Sequence, residues 1–209
     1  MPRSWAWQIP INDEVTSVGL VTGREHFVKS GEETEQVFAE SISTNPLLVQ
    51  RMKNSDRLRE YRMDGNYTYR MDRFVGDGWL MVGDSAFSTD PIFSSGISNA
   101  MFSAKFAAEA IVRALANDDL GEAAFLEYER KIGRGADILQ DLVELFYEFR
   151  PGFIQVVSAS NYRHQVMRVC EGEIYDESSF ETLEQLRQVL KTLSTTHTMQ
   201  TISREEAAR

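Results

Sequence analysis

The chain has 209 residues, of which 42% are hydrophobic, and a formal net charge of −10. This length and composition are enough to bury a sizeable core, in one large domain or in a domain and a half. The negative charge argues against nucleic acid or an anionic membrane surface as the main partner, because both require a basic footprint. We therefore expect a small-molecule partner.

The sequence also indicates the cellular compartment in which the protein is expected. The single cysteine, Cys170, leaves no internal disulfide framework and predicts a buried thiol in a reducing environment. We find neither a signal peptide nor an apolar run of the roughly 20 residues that a membrane helix needs. A cytoplasmic protein without membrane attachment is the expectation. Strand-like sequence begins as early as Trp5, which fits the start of a domain or of a truncated chain.

The first elements predicted along the chain form a hairpin. Trp5, Trp7 and Ile9 alternate with smaller or polar residues, which is the period of a strand with one aromatic face. Residues 15–22 are a second β-rich run, and the intervening Asn12-Asp13 is typical of a turn. We expect two antiparallel strands.

The residues after Gly31 have a helical period. It predicts one helix that ends near Thr44 and a second over residues 46–52, opened by a proline. Alternation returns over residues 57–63 and 67–74, and the Asp-Gly-Asn sequence at 64–66 is typical of a turn between strands. These strands are expected to cover a pocket.

Residues 78–100 contain most of the residues that could bind a ligand. The apolar run 79–82 predicts a short buried strand, and Gly83 allows a turn where a ligand can approach closely. Asp84 then lies just beyond the carboxyl end of the strand, where ligands bind in open α/β sheets. We predict a binding site for an electron-rich cofactor at this turn.

A long helix is predicted after the turn. Ser94 or Ser95 can cap it, and Gly96 leaves its first N–H groups uncovered for an anion or a partly negative ring. Its packing face is mostly small, so the helix can lie close to a sheet. The residues that recur at helical spacing are Ile97, Ala100, Met101, Ala104, Ala107, Ala108, Ile111 and Leu115.

The remaining chain is predicted to be helical. A long helix over 121–149 has one apolar side and contains Gly133 and Gly135, which are expected to bend it. Further helices are predicted over 153–169 and 180–193. The tail from residue 194 has no core-forming pattern.

Two segments of this sequence resemble the flavin-dependent halogenases, a family of tryptophan-halogenase-like enzymes within the FAD-dependent monooxygenases. Residues 5–10 read Trp-Ala-Trp-Gln-Ile-Pro and match the Trp-x-Trp-x-Ile-Pro signature of that family. Gly83-Asp84, followed by Asp-Pro-Ile-Phe-Ser-Ser-Gly over 90–96, is similar to its second flavin-contacting motif. The likeness covers roughly residues 5–116.

The resemblance implies a fold and a division of the chain. The fold class is α/β, with α+β character for this chain as a fragment, and it is part of a glutathione-reductase-type FAD-binding fold with a β-sheet substrate region and C-terminal helices. Four regions are expected: a β-rich substrate- and flavin-covering region over 1–76, the second FAD-binding strand and helix over 77–118, a C-terminal helical region over 119–193 and a flexible tail over 194–209.

The resemblance also implies roles for individual residues. Asp84 would accept a hydrogen bond from a flavin ribityl hydroxyl, and Pro91 would fix the loop against the isoalloxazine edge. The helix start would face the pyrimidine side of the ring, with a halide beside the backbone of Ser95 and Gly96. The implied cofactor-binding set is Gly83, Asp84, Pro91, Ser95, Gly96 and Ile97.

The same resemblance makes Trp5 and Trp7 the wall between flavin and substrate. The alternative for both tryptophans is a place in the core of a sheet. For Asp84 the alternatives are a helix cap or a turn former, for Pro91 a plain turn proline, and for Ser95 a simple cap.

The sequence departs from the family in three ways. Phe87 stands where a small residue is usual, and Ser88 where an aromatic is common. No Gly-x-Gly-x-x-Gly follows an N-terminal strand, so we expect no site for the adenosine diphosphate part of FAD. The catalytic lysine of the family belongs ahead of the tryptophan motif, whereas every lysine here follows it: Lys29, Lys53, Lys105, Lys131 and Lys191. We expect the chain alone to be inactive.

A metal site is not predicted. His26, His164 and His197 are far apart, and no cluster of cysteine, histidine and carboxylate residues has the spacing of metal ligands.

The sequence therefore predicts the C-terminal portion of an FAD-dependent halogenase. Such an enzyme uses reduced flavin from a separate flavin reductase, oxygen and a halide ion to halogenate a small-molecule substrate, either an electron-rich aromatic or a compound tethered to an acyl carrier protein. The alternatives are an FAD hydroxylase or isoprenoid reductase of the same superfamily, and a non-catalytic remnant or binding module.

Overall fold

The structure is a computed structural model. It describes residues 4–31, 33–65, 67–159, 162–175, 178–179 and 181–193. The tail predicted to be flexible, 194–209, lies outside the described residues. Contacts divide the chain into two units, Met1–Asn66 and Tyr67–Arg209.

The first unit begins with the predicted hairpin. Strand β1 (Trp5–Pro10) pairs antiparallel with β2 (Thr16–Val21). The side chain of Asn12 holds the turn, because its Oδ1 accepts hydrogen bonds from the backbone N–H groups of Glu14 at 2.9 Å and Val15 at 2.8 Å. The hairpin and its turn are confirmed.

Three helices complete this unit: α1 (Arg24–Ser30), α2 (Thr34–Ser43) and α3 (Pro46–Met52). The predicted ends of α2 and α3 are confirmed to within one residue. Asn45 caps α3 by accepting hydrogen bonds from the first N–H groups of the helix.

The strand predicted over 57–63 is wrong, since residues 57–65 have no regular secondary structure. Their side chains contact α2 instead. Arg57 pairs with Glu35 at 3.2 Å and lies over the ring of Tyr61, which in turn packs against Phe38 with ring centroids 5.2 Å apart. Alternation in this segment thus reflects contacts with a helix. Asn66, the last residue of the predicted turn, lies outside the described residues.

The second unit contains strands of only two residues each. β3 (Tyr69–Arg70) pairs with β6 (Phe87–Ser88), and β4 (Val75–Gly76) pairs with β5 (Trp79–Leu80), both antiparallel. The mixture of helix and strand agrees with the predicted class. No parallel pair occurs among the described strands.

The predicted buried strand over 79–82 is wrong in length and burial. Only its first two residues pair, and Trp79 is 42% exposed. A tight turn at Asp77-Gly78, with Gly78 at φ 76°, folds β5 back onto β4. The candidate turn therefore follows a two-stranded hairpin rather than the centre of a larger sheet.

Helices dominate the rest of this unit: α4 (Gly96–Ala116), α5 (Glu122–Glu148), α6 (Arg150–Ala159), α7 (Tyr162–Cys170) and α8 over residues 181–193. α5 lies at the centre of the core and packs against α4, α6 and β4. It continues through Gly133 and Gly135, where added Cβ atoms would lie 2.8 Å from Arg70 and 2.5 Å from Tyr175. These glycines make room for neighbouring side chains.

Cys170, predicted to be a buried thiol, is half-buried in the structure. Cys170 ends α7, and burial raises the pKa of its thiol to about 11, so the sulfur stays protonated at neutral pH. Among the described helices, none combines the length and apolar character needed to cross a membrane.

Candidate functional site

The Gly83-Asp84 turn lies against helix α4. Gly83 begins a short 3₁₀ turn at φ 54°, and its N–H donates to Ser103 Oγ at 2.8 Å. A Cβ added to Gly83 would lie 3.1 Å from Cβ of Ala100. The close approach that requires a glycine here is therefore made by α4.

Asp84 follows with its side chain exposed. Its backbone carbonyl accepts a hydrogen bond from Tyr69 Oη at 2.6 Å, and the carbonyl of Met81 just before the turn accepts one from Tyr128 Oη at 2.5 Å. Two tyrosines thus hold the backbone, while the Asp84 carboxylate faces outward, where a hydroxyl-bearing ligand can reach it.

The loop after β6 is shaped by Asp90. Its Oδ1 accepts a hydrogen bond from the backbone N–H of Ile92 at 3.0 Å, which caps the short turn Pro91–Phe93. Its Oδ2 accepts one from Tyr147 Oη at 2.9 Å. Pro91 is exposed, and Ser94 takes a left-handed conformation at φ 54°.

The start of α4 is open. Gly96 is exposed, and a Cβ added to it would meet nothing within 4 Å. The first backbone bond of the helix runs from the N–H of Asn99 to the carbonyl of Ser95, so the three preceding N–H groups have no helical partner. They lie at the positive end of a helix of 21 residues, a suitable place for an anion or an electron-rich ring.

The predicted serine cap is wrong. Ser95 occupies the capping position in a right-handed helical conformation, and its side chain makes no capping bond. It is buried, and Ser98 Oγ donates to its carbonyl. An extended backbone is needed for a serine to reach back to the next N–H groups, so this conformation leaves them uncovered.

The two tryptophans lie in the first unit. Trp5 and Trp7 stand on one face of β1 with ring centroids 5.9 Å apart, and both are half-buried. Trp7 Nε1 donates to Ser17 Oγ at 3.1 Å, and its ring fills the space over Gly19, where an added Cβ would lie 2.0 Å from it. Neighbours on β2 therefore fix the Trp7 ring.

Phe87, one of the departures from the family pattern, lies in the core. It is 2% exposed and stacks against Phe74 with ring centroids 6.4 Å apart.

No group of three or more histidine, cysteine or carboxylate residues within the described part of the chain is placed to hold a metal ion.

Four tyrosines that hold this segment were missed by sequence reasoning: Tyr69, Tyr128, Tyr147 and Tyr175. They lie 15 to 76 residues from their partners, so no local pattern could reveal them. The residue type is the only sequence signal, because a tyrosine hydroxyl usually finds a hydrogen-bond partner when its ring is buried.

Comparison with known proteins gives consistent results. The sequence profile described as "Tryptophan halogenase" matches residues 1–153. The chain is 33% identical over 190 residues to the 1H-pyrrole-2-carbonyl-(peptidyl-carrier protein) chlorinase of Pseudomonas fluorescens, covering 91% of this chain and 42% of that protein. It is 31% identical over 175 residues to the corresponding brominase of Pseudoalteromonas luteoviolacea, covering 82% of this chain and 42% of the brominase.

A solved structure is similar over almost the same span. The flavin-dependent brominase Bmp2 superposes with a TM-score of 0.83 at 29% identity, covering 93% of this chain and 49% of the Bmp2 chain. The chain thus spans less than half the length of these relatives.

Proposed function

The chain belongs to the tryptophan halogenase family, and from this premise we propose that it is the portion of a flavin-dependent halogenase that faces the isoalloxazine ring and the halide. The observation that carries the proposal is the open start of α4. Uncovered N–H groups at Gly96 follow an exposed Asp84 and an exposed Pro91 in one segment of the second unit.

These residues fit the isoalloxazine and ribityl part of FAD. The Asp84 carboxylate suits a ribityl hydroxyl, because a carboxylate accepts strong hydrogen bonds without changing its protonation state. The rigid ring of Pro91 and the missing side chain of Gly96 leave a smooth surface for a flat ligand. The exposed Ile97 completes the proposed contacts, and Gly83, packed against α4, contributes through the shape of the turn. The chain has no glycine fingerprint for the adenosine diphosphate part.

When bound, reduced FAD together with oxygen supplies the oxidising power for the overall reaction RH + X⁻ + FADH₂ + O₂ + H⁺ → RX + FAD + 2 H₂O. The backbone at the Ser95–Gly96 step, where the uncovered N–H groups begin, holds the halide ion X⁻ at the positive end of α4. For Trp5 and Trp7 of the first unit we propose the role that the family resemblance implies, contact with the substrate. The family lysine that directs hypohalous acid precedes the tryptophan motif, and no lysine of this sequence does, so we propose that the chain alone is inactive.

The substrate we propose is an electron-rich aromatic presented by a carrier protein. Two relatives, a chlorinase and a brominase, are both named for 1H-pyrrole-2-carbonyl attached to a peptidyl-carrier protein. A pyrrole carbon is electron-rich enough to attack hypohalous acid. The two names differ in the halide, so both chloride and bromide remain in the proposal. A separate flavin reductase supplies the reduced cofactor.

Titration with flavin mononucleotide tests the cofactor site, since this flavin lacks the adenosine part that the chain has no fingerprint for. In ¹⁵N-labelled protein at millimolar flavin, we expect amide shifts confined to residues 83–97, and a loss of affinity of about tenfold in Asp84→Ala, the equivalent of one charge-assisted hydrogen bond. The exposed Asp56 of the first unit provides the control, and Asp56→Ala should bind like the unaltered chain. Shifts that avoid residues 83–97, or that are equal in both variants, would refute the site.

A further inference from the structure

Residues 90–99, which we call the flavin loop, are held at both ends by tyrosine hydroxyls. Tyr147 on α5 donates to Asp90 Oδ2 at 2.9 Å, and Tyr175, beyond α7, donates to Asn99 Oδ1 at 3.0 Å. We propose that these two tyrosines are positioning residues that set the conformation of the flavin loop. The inference rests on the proposed function, because it assigns the loop to flavin.

The first anchor acts on the turn that carries Pro91. Asp90 uses one carboxylate oxygen to cap that turn at Ile92 and the other to accept from Tyr147. A carboxylate bonded through both oxygens has a fixed orientation, and hydrogen bonds to an ionised group are about twice as strong as neutral ones. Tyr147 therefore holds the carboxylate that shapes the turn.

Apolar contacts bring the same helix to the same loop. Phe93, the last residue of the turn, packs edge-on against Phe146 with ring centroids 5.7 Å apart, and Phe146 is the neighbour of Tyr147 on α5. The loop thus has an apolar attachment that would survive loss of the Tyr147 hydroxyl. The hydrogen bond from the Tyr147 hydroxyl orients the loop, whereas the apolar contact of Phe93 with Phe146 is by itself non-directional.

The second anchor acts on the first turn of α4. Asn99 is 3% exposed, and its side chain accepts from Tyr175. The Tyr175 ring is itself confined, since it packs edge-on against Phe106 at 4.9 Å between centroids and lies where any side chain at Gly135 would collide with it. Burial raises the pKa of Tyr175, so its hydroxyl keeps its proton and stays a donor at neutral and moderately alkaline pH.

The two anchors lie on either side of the uncovered N–H groups. Ser94, at φ 54°, and the exposed Gly96 lie between them, and neither residue has a side chain that fixes the loop from within. A binding surface made of backbone groups must be kept in place before the ligand arrives, because a mobile loop loses affinity when it is ordered. The tyrosines supply this order from the C-terminal helices.

The test compares Tyr147→Phe with Tyr128→Phe. Both remove one partly buried hydroxyl from α5 and keep the ring, but the Tyr128 hydroxyl bonds to Met81, outside the flavin loop. We expect similar losses of thermal stability. In Tyr147→Phe alone, hydrogen exchange at the bonded amides of Ile92 and Ser94 should speed up several-fold. The affinity of Tyr147→Phe for flavin mononucleotide should fall about tenfold, whereas Tyr128→Phe serves as the control for stability and exchange only, since its hydroxyl holds the backbone before the Gly83 turn.

A second variant, Asp90→Asn, keeps an oxygen to cap Ile92 but removes the charge. Its effect on flavin affinity should overlap with that of Tyr147→Phe, so that the double variant loses less than the product of the two single losses. Equal exchange rates at Ile92 and Ser94 in the two tyrosine variants, or fully multiplicative losses of affinity, would overturn the proposal. If the unaltered chain fails to bind the flavin, the proposed function fails, and hydrogen exchange still decides whether Tyr147 orders the loop.

Discussion

Two glycines in the candidate site have opposite surroundings. Gly83 is held at φ 54° with α4 packed against it, whereas Gly96 faces open space. The fold requires a glycine at position 83. At position 96 the glycine leaves the first amides of α4 uncovered, and stability measurements can distinguish these two roles.

We predict that Gly83→Ala lowers the free energy of unfolding by about 1–3 kcal/mol, since an alanine is strained at this φ and its Cβ would press on Ala100. Gly96→Ala should keep or slightly raise stability, because its site is open and alanine favours the helix. Its methyl group would nevertheless cover the amides that we assign to flavin and halide. Urea unfolding and flavin titration of both variants check the pair, and a large loss of stability in Gly96→Ala would contradict it.

At the level of single residues, the sequence was informative where a residue acts through its own backbone. The turn at Gly83 and the open start at Gly96 follow from the absence of a side chain. The capping role of Ser95 was wrong because it depends on a local φ and ψ that no pattern specifies. The hydroxyls of Tyr147 and Tyr175 depend on partners 57 and 76 residues away, and only the folded structure brings them together.

At the level of elements, α4 has two unlike faces. The buried face is made of small residues, and the exposed face carries large apolar ones. The buried residues are Asn99, Ser103, Ala107, Ala110 and Ala114. The exposed apolar residues include Ile97, Met101, Val112 and Leu115. The predicted packing face, which contained Ile97, Met101 and Leu115, is therefore wrong except at Ala107 and the half-buried Ala100. Small residues therefore set how closely α4 approaches α5 and the Gly83 turn.

We predict that Ala110→Leu destabilises the protein by about 1–3 kcal/mol, because Ala110 is 1% exposed and the added atoms must displace packed neighbours. Val112→Lys, on the outer face of the same helix at 66% exposure, should change stability by no more than about 0.5 kcal/mol. Chemical denaturation midpoints measure both. Similar costs at the two positions would show that the faces are assigned wrongly.

Long helices were predictable and short strands were not. The apolar period of α5 persists over many turns, so the prediction depends on many residues at once. The ladders β3–β6 and β4–β5 have two residues per strand, too few for a period to be read. For the β4–β5 ladder, the Asp77-Gly78 sequence was the available signal of a turn. In the structure this turn prevails over the longer strand that the apolar run after it predicts.

At the level of the whole molecule, the chain contains the tryptophan motif and the Gly83-Asp84 segment of its family without a glycine fingerprint or a lysine ahead of the tryptophan motif. It spans 42% of the Pseudomonas fluorescens chlorinase. The proposed activity is therefore measured together with the part of the chlorinase that this chain does not span.

The most direct measurement supplies that part. The chain is produced together with the remaining part of the chlorinase, given pyrrole-2-carbonyl carrier protein, a flavin reductase and halide, and the product is analysed by mass spectrometry, with the chlorinase split at the same place as the positive control. We predict a halogenated pyrrole whose mass changes when bromide replaces chloride. A product that is only hydroxylated, while the control halogenates, would contradict the proposed function.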